Sequence, residues 1–363
     1  MPGQFSFGFS GDDIEDDGES NSAGPQVSTP AQPQASASAF PVPGKPLLPG
    51  TNHDLHQMLS QLPSKIAYGI LDIDLDGVGR IQLPRRELWD VRVQLMAEDD
   101  GGDTEPGLGN HDVKTGVYEG GFKSWESSVD LVKVLSLSKS FLSDTDTAPR
   151  LIELGCGTAL PSLALFQWSL SLRISDKNTL SIVLADYNST VLQLVTLPNF
   201  ILSWALHQRA DSPLLEAAFS TEGELDLTPE VLKAFDEFLT ARKISLSFFS
   251  GAWSTEFIDL VNSDKISKVG NEIGQRTIIL GAETIYSPFA LSAFTQTILS
   301  FLKGEKEQGN AAEALVGAKK LYFGVGGSLD DFVTRAREMG ANVEEVREET
   351  EGVRRGVVRC SLP

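Results

Sequence analysis

The segment Glu153-Leu154-Gly155-Cys156-Gly157-Thr158-Ala159-Leu160 carries the densest chemical signal in the chain. It lies between a short apolar run at 150–154 and a longer one at 160–170, and so reads as the turn from a strand into a helix. Gly155 and Gly157 permit a tight turn whose backbone can come close to a ligand. A dinucleotide fingerprint asks for a third glycine at position 160, where Leu160 stands. No Gly-Lys-Ser/Thr follows, which excludes a P-loop. Glu153, two residues before the first glycine, suits a ligand with a cationic amine. The next apolar run, 180–185, ends at Asp186, whose carboxylate suits two ribose hydroxyls. An amino acid end, a ribose and no phosphate together describe S-adenosylmethionine.

The elements that must hold these residues alternate. Strand signals at 150–155, 180–185, 244–249, 277–282 and 314–323 are separated by helix signals at 160–170, 189–206, 290–302 and 329–339. A helix at 125–137 precedes them, and strands near 342–347 and 353–361 follow. Repeated alternation predicts an α/β fold, a mostly parallel sheet with helices on both faces and the ligand at the carboxyl ends of its strands. Pro198 is the expected break or boundary in the helix at 189–206, and 207–243 reads largely as an insertion. Residues 303–313 read as a polar loop, and no internal repeat is present.

Upstream, 1–50 reads as a disordered tail. Phe5, Phe7 and Phe9 precede an acidic run and then a stretch rich in Ser, Ala, Gln and Pro, which cannot bury enough apolar surface to offset its ordering entropy. Residues 51–112 form an accessory subdomain ending in an acidic loop at 98–112, with a hairpin turning at Asp76-Gly77. The catalytic domain then spans 113–363. His53 and His56 can share a helix face, but no third His or Cys lies near, so no metal site is expected.

Of 363 residues, 41% are hydrophobic and 22% charged, enough for one large domain or two small ones. The net charge of −20 argues against a nucleic acid partner. It is concentrated: segments 1–50, 98–112 and 211–240 carry −5, −6 and −7, the last two as expected surface loops. Acidic loops can steer a basic protein toward the site. Two cysteines, Cys156 and Cys360, give no disulfide framework and suit a reducing compartment. The most apolar stretch, 191–206, is interrupted by Pro198, Asn199 and other polar residues, so no membrane association is expected.

Eight stretches, in order, resemble one family. They are Gly120-Gly-Phe-Lys-Ser-Trp-Glu-Ser-Ser-Val-Asp-Leu131, the glycine loop, Asp186-Tyr-Asn-Ser189, Val195-Thr-Leu-Pro-Asn199, Phe248-Phe-Ser-Gly-Ala-Trp253, Glu283-Thr-Ile-Tyr286, Tyr322-Phe-Gly-Val-Gly-Gly327 and the Phe-rich acidic start. The chain resembles the histidine protein methyltransferases, which have a Rossmann-like seven-strand class I methyltransferase fold. The resemblance implies methyl transfer from S-adenosylmethionine to a histidine of a large-subunit ribosomal protein, the third in the usual numbering. It implies cofactor contacts from Ser124, Trp125, Glu126, Ser127 and Ser128, from Glu153, Gly155 and Gly157, and from Ala185, Asp186 and Tyr187. Gly251, Ala252, Trp253 and Ala282 complete that set, with Glu283 and Tyr286 at the reacting methyl. Ser124, Ser127, Ser128, Ala252, Ala282 and Ser287 depart from the residues typical of the family. A monomer in the cytoplasm and nucleus is expected.

The implied chemistry is simple. Neutral imidazole, with a pKa near about 6.5, is a nucleophile at cellular pH. Alignment is therefore the main task, and choosing the tautomer, by a hydrogen bond to the other ring nitrogen, the second. The imidazolium product must then lose a proton, with Glu283 the candidate to stabilise its charge or take that proton. A protein lysine methyltransferase and a non-catalytic binding partner of a ribosomal protein are the competing readings. A nucleic acid amino-methyltransferase fits poorly, because Glu283-Thr-Ile-Tyr-Ser-Pro-Phe289 lacks the usual Asn/Asp-Pro-Pro-Tyr motif.

Overall fold

A computed structural model describes residues 47–98, 121–144, 147–172, 179–264, 274–322 and 327–363. The chain divides into two units, Met1–Gln34 and Ala35–Pro363, and the first lies outside the described residues. So do nearly all of the tail and of the acidic loop at 98–112.

The second unit begins with β1 (Thr51–His53) and α1 (Leu55–Ser60), whose N-terminus is capped by Asp54 accepting from the Gln57 amide at 2.9 Å. β2 (Lys65–Asp74) and β3 (Arg80–Arg86) form the expected hairpin, with Asp76 and Gly77 both at positive φ in its turn. After α2 (Leu88–Glu98) and α3 (Glu126–Ser138) come β4 (Thr147–Leu154), α4 (Leu160–Leu170) and β5 (Leu180–Asp186). β5 is buried along its whole length, the mark of a parallel strand covered on both faces.

The stretch after β5 is one helical run, Ser189–Asp211, with an internal boundary beside Pro198 and no break there. It comprises α5 (Ser189–Val191), a π-helical turn at Leu192–Thr196 and α6 (Leu197–Gln208), then a final 3-10 turn. Pro198 is the second residue of α6, directly after the π-helical turn, so it marks a change of helical geometry and not an end of the helix. The run is long and apolar enough to cross a membrane, but 78% of its apolar window is buried within this fold.

The segment 207–243 is folded, not a surface loop. It forms α7 (Pro213–Ala218), β6 (Glu224–Asp226) and α8 (Pro229–Arg242). Val231, Phe235 and Leu239 recur every fourth residue on α8 and are buried. β6 pairs with β2, Lys65 opposite Asp226, completing a three-stranded antiparallel sheet β3-β2-β6.

β7 (Ile244–Ser250), α9 (Thr255–Ser263), β8 (Gly274–Ala282), α10 (Pro288–Glu307), β9 (Ala311–Lys319), α11 (Leu329–Glu338), β10 (Asn342–Glu349) and β11 (Arg355–Ser361) complete the chain. The expected loop at 303–313 is the last turn of α10 and the first residues of β9. The main sheet has the order β1-β7-β5-β4-β8-β9-β11-β10. β7, β5, β4, β8 and β9 run parallel, β11 is antiparallel to both its neighbours, and β1 adds an antiparallel edge beside β7. The expected mostly parallel sheet is present. Alternate residues of its central strands feed two cores: Leu151, Ile182 and Leu184 belong to one, and Ile152, Val183 and Ala185 to the other. The strand order reverses between β4 and β8, and a ligand crevice forms at such a switch point.

Candidate active site

A partly open cleft lies at the carboxyl ends of β4, β5, β7 and β8, where a ligand of such a sheet is expected. Its floor is the glycine loop between β4 and α4. Gly155 has φ +63, and a Cβ there would stand 2.8 Å from Thr284 Cγ2, so the loop must present bare backbone to the cleft.

The loop is held from behind. The Cys156 amide donates to the Ala185 carbonyl at 2.9 Å. Thr196 Oγ1 donates to the Gly157 carbonyl at 2.6 Å, and Asn199 Nδ2 donates to the Thr158 carbonyl at 3.0 Å. Asn199 also accepts from the Arg86 amide at 2.8 Å, tying β3 to the same support. The π-helical turn ends at Thr196, directly beneath the loop. Burial pushes the Cys156 thiol well up, so that side chain is a packing group and not a nucleophile.

Asp186 lines the cleft at the end of β5. Its Oδ2 accepts from the Gly157 amide at 2.9 Å and its Oδ1 from the Asn188 amide at 3.0 Å. Tyr187 and Trp253 share the cleft wall, and both pack on Ala290 and Ala293 of α10. Gly251 donates its amide to the Asp186 carbonyl at 3.1 Å, and Ala252 donates to the Leu48 carbonyl at 3.0 Å. The residues before β1 thus brace this wall from outside.

Glu283, directly after β8, has φ +55, a left-handed conformation that costs a residue with a Cβ about 1 kcal/mol or more. Its amide donates to the Gly317 carbonyl at 2.9 Å, which fixes the turn against β9. Its carboxylate accepts from Ser127 Oγ on one oxygen and from the Tyr322 hydroxyl, at 2.5 Å, on the other. Desolvation raises its pKa, against the opposing pull of Lys319 and the two hydroxyls.

The cleft brings together Trp125, Ser128, Gly155, Gly157, Asp186, Tyr187, Gly251, Trp253, Ala282, Glu283 and Tyr286 of the residues expected there. Six others lie elsewhere. Glu153 is the sharpest correction: its side chain is 2% exposed and its Oε2 accepts from the Ser162 amide at 2.9 Å. It satisfies an orphan amide in the first turn of α4 and is not presented to a ligand amine. Burial pushes its pKa up to about 7. Ser127 turns to Glu283, and Ser124 Oγ pairs with Thr158 Oγ1 at 2.8 Å. Glu126 stands in the first turn of α3, off the cleft. Ala185 and Ala252 are buried and act through backbone hydrogen bonds. His53 and His56 do not share a helix face, because β1 ends at His53. His53 Nε2 lies 2.7 Å from Ser250 Oγ. No cluster able to hold a metal ion occurs among the described residues.

Gly121, Lys123, Cys156, Thr158 and Thr284 also line the cleft. Cys156 and Thr158 lie inside the glycine loop and Gly121 and Lys123 inside the 120–131 stretch, so their neighbourhood was legible though their roles were not. Thr284 lies inside the 283–286 stretch, but only the fold puts it opposite Gly155. The donor set fits S-adenosylmethionine: a bare glycine cradle, a strand-end carboxylate, and aromatic walls at Tyr187 and Trp253.

The chain is 36% identical over 274 residues to Histidine protein methyltransferase 1 of Saccharomyces cerevisiae, covering 70% of this chain and 68% of the relative. It is 33% identical over 322 residues to Histidine protein methyltransferase 1 of Schizosaccharomyces pombe, covering 84% and 83%. Among solved structures, the N-terminal domain of human METTL16 in complex with SAH is similar at TM-score 0.37 and 12% identity, over 85% of this chain and 92% of that one. No family model matches the chain.

Proposed function

Because the chain belongs to the Histidine protein methyltransferase 1 family and is a protein-histidine methyltransferase using S-adenosylmethionine, we propose that its substrate histidine lies in a large-subunit ribosomal protein, the third in the usual numbering. The observation that carries the chemistry is one cleft that gathers the glycine loop, Asp186 and Glu283. Gly155 and Gly157 would lie under the cofactor, Asp186 would take its ribose hydroxyls, and Tyr187 and Trp253 would flank its base. Bound there, S-adenosylmethionine supplies an electrophilic sulfonium methyl.

The chain's own residues then have two tasks. Trp125 and Tyr286 bound the cleft beside Glu283 and confine an incoming imidazole. Glu283 accepts the N–H of the ring nitrogen that is not attacked, which leaves the other nitrogen's lone pair free as nucleophile. As the N–C bond forms and the methyl–sulfur bond breaks, its electron pair staying on sulfur to leave the neutral thioether, the ring becomes an imidazolium, and the adjacent carboxylate would stabilise its charge until the N–H proton leaves to water.

The net charge of −20 supports a basic protein partner. The free, buried thiols Cys156 and Cys360 suit the reducing cytoplasm and nucleus, where we place a monomeric enzyme. Incubation of the full chain with methyl-labelled S-adenosylmethionine and separated large-subunit ribosomal proteins tests the substrate. Label in one of these proteins is the expected result. Label absent from all of them, but present in another basic protein, would overturn the ribosomal assignment.

A further inference from the structure

We propose that Tyr322 and Ser127 are positioning residues that orient the Glu283 carboxylate toward the substrate ring and so decide which imidazole nitrogen is methylated. The proposal rests on the reading that Glu283 meets the substrate. Its basis is geometric. Each oxygen of Glu283 receives one hydroxyl, Ser127 Oγ on Oε1 and the Tyr322 hydroxyl on Oε2 at 2.5 Å. The two donors come from separate elements, α3 and the segment after β9, so they grip the carboxylate from two sides. An ionised carboxylate offers about four acceptor positions, so two remain for a substrate N–H.

The backbone makes the grip necessary. Glu283 leaves β8 in a left-handed conformation, pinned by the Gly317 carbonyl, so its side-chain direction is set by an irregular turn and not by a helix or strand. Among the described residues, these two hydroxyls are the hydrogen-bond donors that fix the carboxylate plane. Ser127 is fully buried and Tyr322 does not line the cleft, so neither touches the cofactor site directly.

The charged groups around the carboxylate come from each packed element. Lys319, at the end of β9, places its Nζ 5.3 Å from the Trp125 ring centre and 5.6 Å from that of Tyr322. Its charge favours the ionised acid, while Glu126 of α3 disfavours it. Tyr286, Lys123 and Asp186 line the same cleft as Glu283. Burial and the adjacent Glu283 both raise the Tyr322 pKa, so Tyr322 stays a donor across the working pH range.

The test compares Tyr322→Phe, Ser127→Ala and Glu283→Gln in the full chain. The readouts are S-adenosylhomocysteine affinity by calorimetry, kcat and KM against pH, and the methylated nitrogen by NMR of the product peptide. For Tyr322→Phe the expected result is cofactor affinity within about threefold of the parent. Its kcat should fall roughly ten- to a hundredfold, the range for losing one hydrogen bond to a charged group. The acid limb of kcat should move to higher pH, because a donor to the charged form has gone. A mixture of ring-nitrogen products should replace a single one. Ser127→Ala should reproduce these changes, which guards against a Tyr322 variant that fails to fold. Unchanged kcat, pH limb and product in both hydroxyl variants, alongside an impaired Glu283→Gln, would overturn the positioning role alone. Full turnover by Glu283→Gln would overturn the reading of Glu283 itself, and the positioning role with it.

Discussion

Replacing Glu153 by glutamine should separate burial cost from ligand binding. Glu153 is buried under the glycine loop and accepts from the Ser162 amide. Its pKa is raised from 4.5 to about 7, first by desolvation, with the nearby Asp186 charge adding to it. An acid whose folded pKa lies above its unfolded value binds its proton more tightly when folded. Its stabilising contribution is therefore complete below about 4.5 and is lost as pH rises through about 7. Over the soluble window from about pH 5.5 to 8.5, linkage with these two values gives a loss of about 2 kcal/mol. Glutamine keeps the acceptor for Ser162 and cannot ionise. The stability difference between variant and parent should therefore grow by about 2 kcal/mol in the variant's favour across that window. Urea denaturation at several pH values reads this directly, because titrations not coupled to Glu153 are shared by variant and parent and cancel. S-adenosylhomocysteine affinity should stay within about threefold, since no face of Glu153 reaches the cleft. A pH-independent stability difference, or loss of affinity beyond about tenfold, would refute the reasoning and restore Glu153 as the ligand for an amine.

Further outcomes follow from the same geometry. Gly155→Ala should keep the fold but weaken S-adenosylhomocysteine binding at least tenfold by calorimetry, on the order of 1 kcal/mol or more, because its Cβ would crowd Thr284 and its φ is +63. Arg150→Met should cost about 3–5 kcal/mol in chemical denaturation by stranding the Glu305 carboxylate, which is held at 2.8 Å and buried, while a paired Glu305→Leu change should recover most of it. Joint replacement of the exposed Glu222, Glu230 and Glu237 by glutamine should flatten the salt dependence of kcat/KM for a basic substrate without altering kcat, and an unchanged slope would remove steering by this face.

The alternation of strands and helices was legible because buried parallel strands such as 180–185 read as unbroken apolar runs. The glycine loop was legible because glycine takes a left-handed backbone without strain and leaves no Cβ to crowd the close approach at position 155. What failed depended on burial and tertiary contacts. Glu153 has the right spacing for a ligand contact, but burial and the orphan amide of Ser162 decided its role. The segment 211–240 looked like a solvated loop by charge alone, whereas β6 pairs with β2 across the chain and α8 buries an apolar stripe. Thr196 and Asn199 stood in a quoted motif without a role. The π-helical turn that aims Thr196 at the Gly157 carbonyl depends on tertiary packing, which no local periodicity encodes. Tyr322 gained its meaning only when β9 came to lie beside β8.

Identification of the modified side chain tests the central claim most directly. The full chain, S-adenosylmethionine and the large-subunit ribosomal protein are incubated, and the product is digested and sequenced by mass spectrometry. Methyl groups confined to one histidine, and absent with Glu283→Gln, are the predicted result. Methyl-lysine as the only product, or cofactor binding with no transfer to any protein, would contradict it.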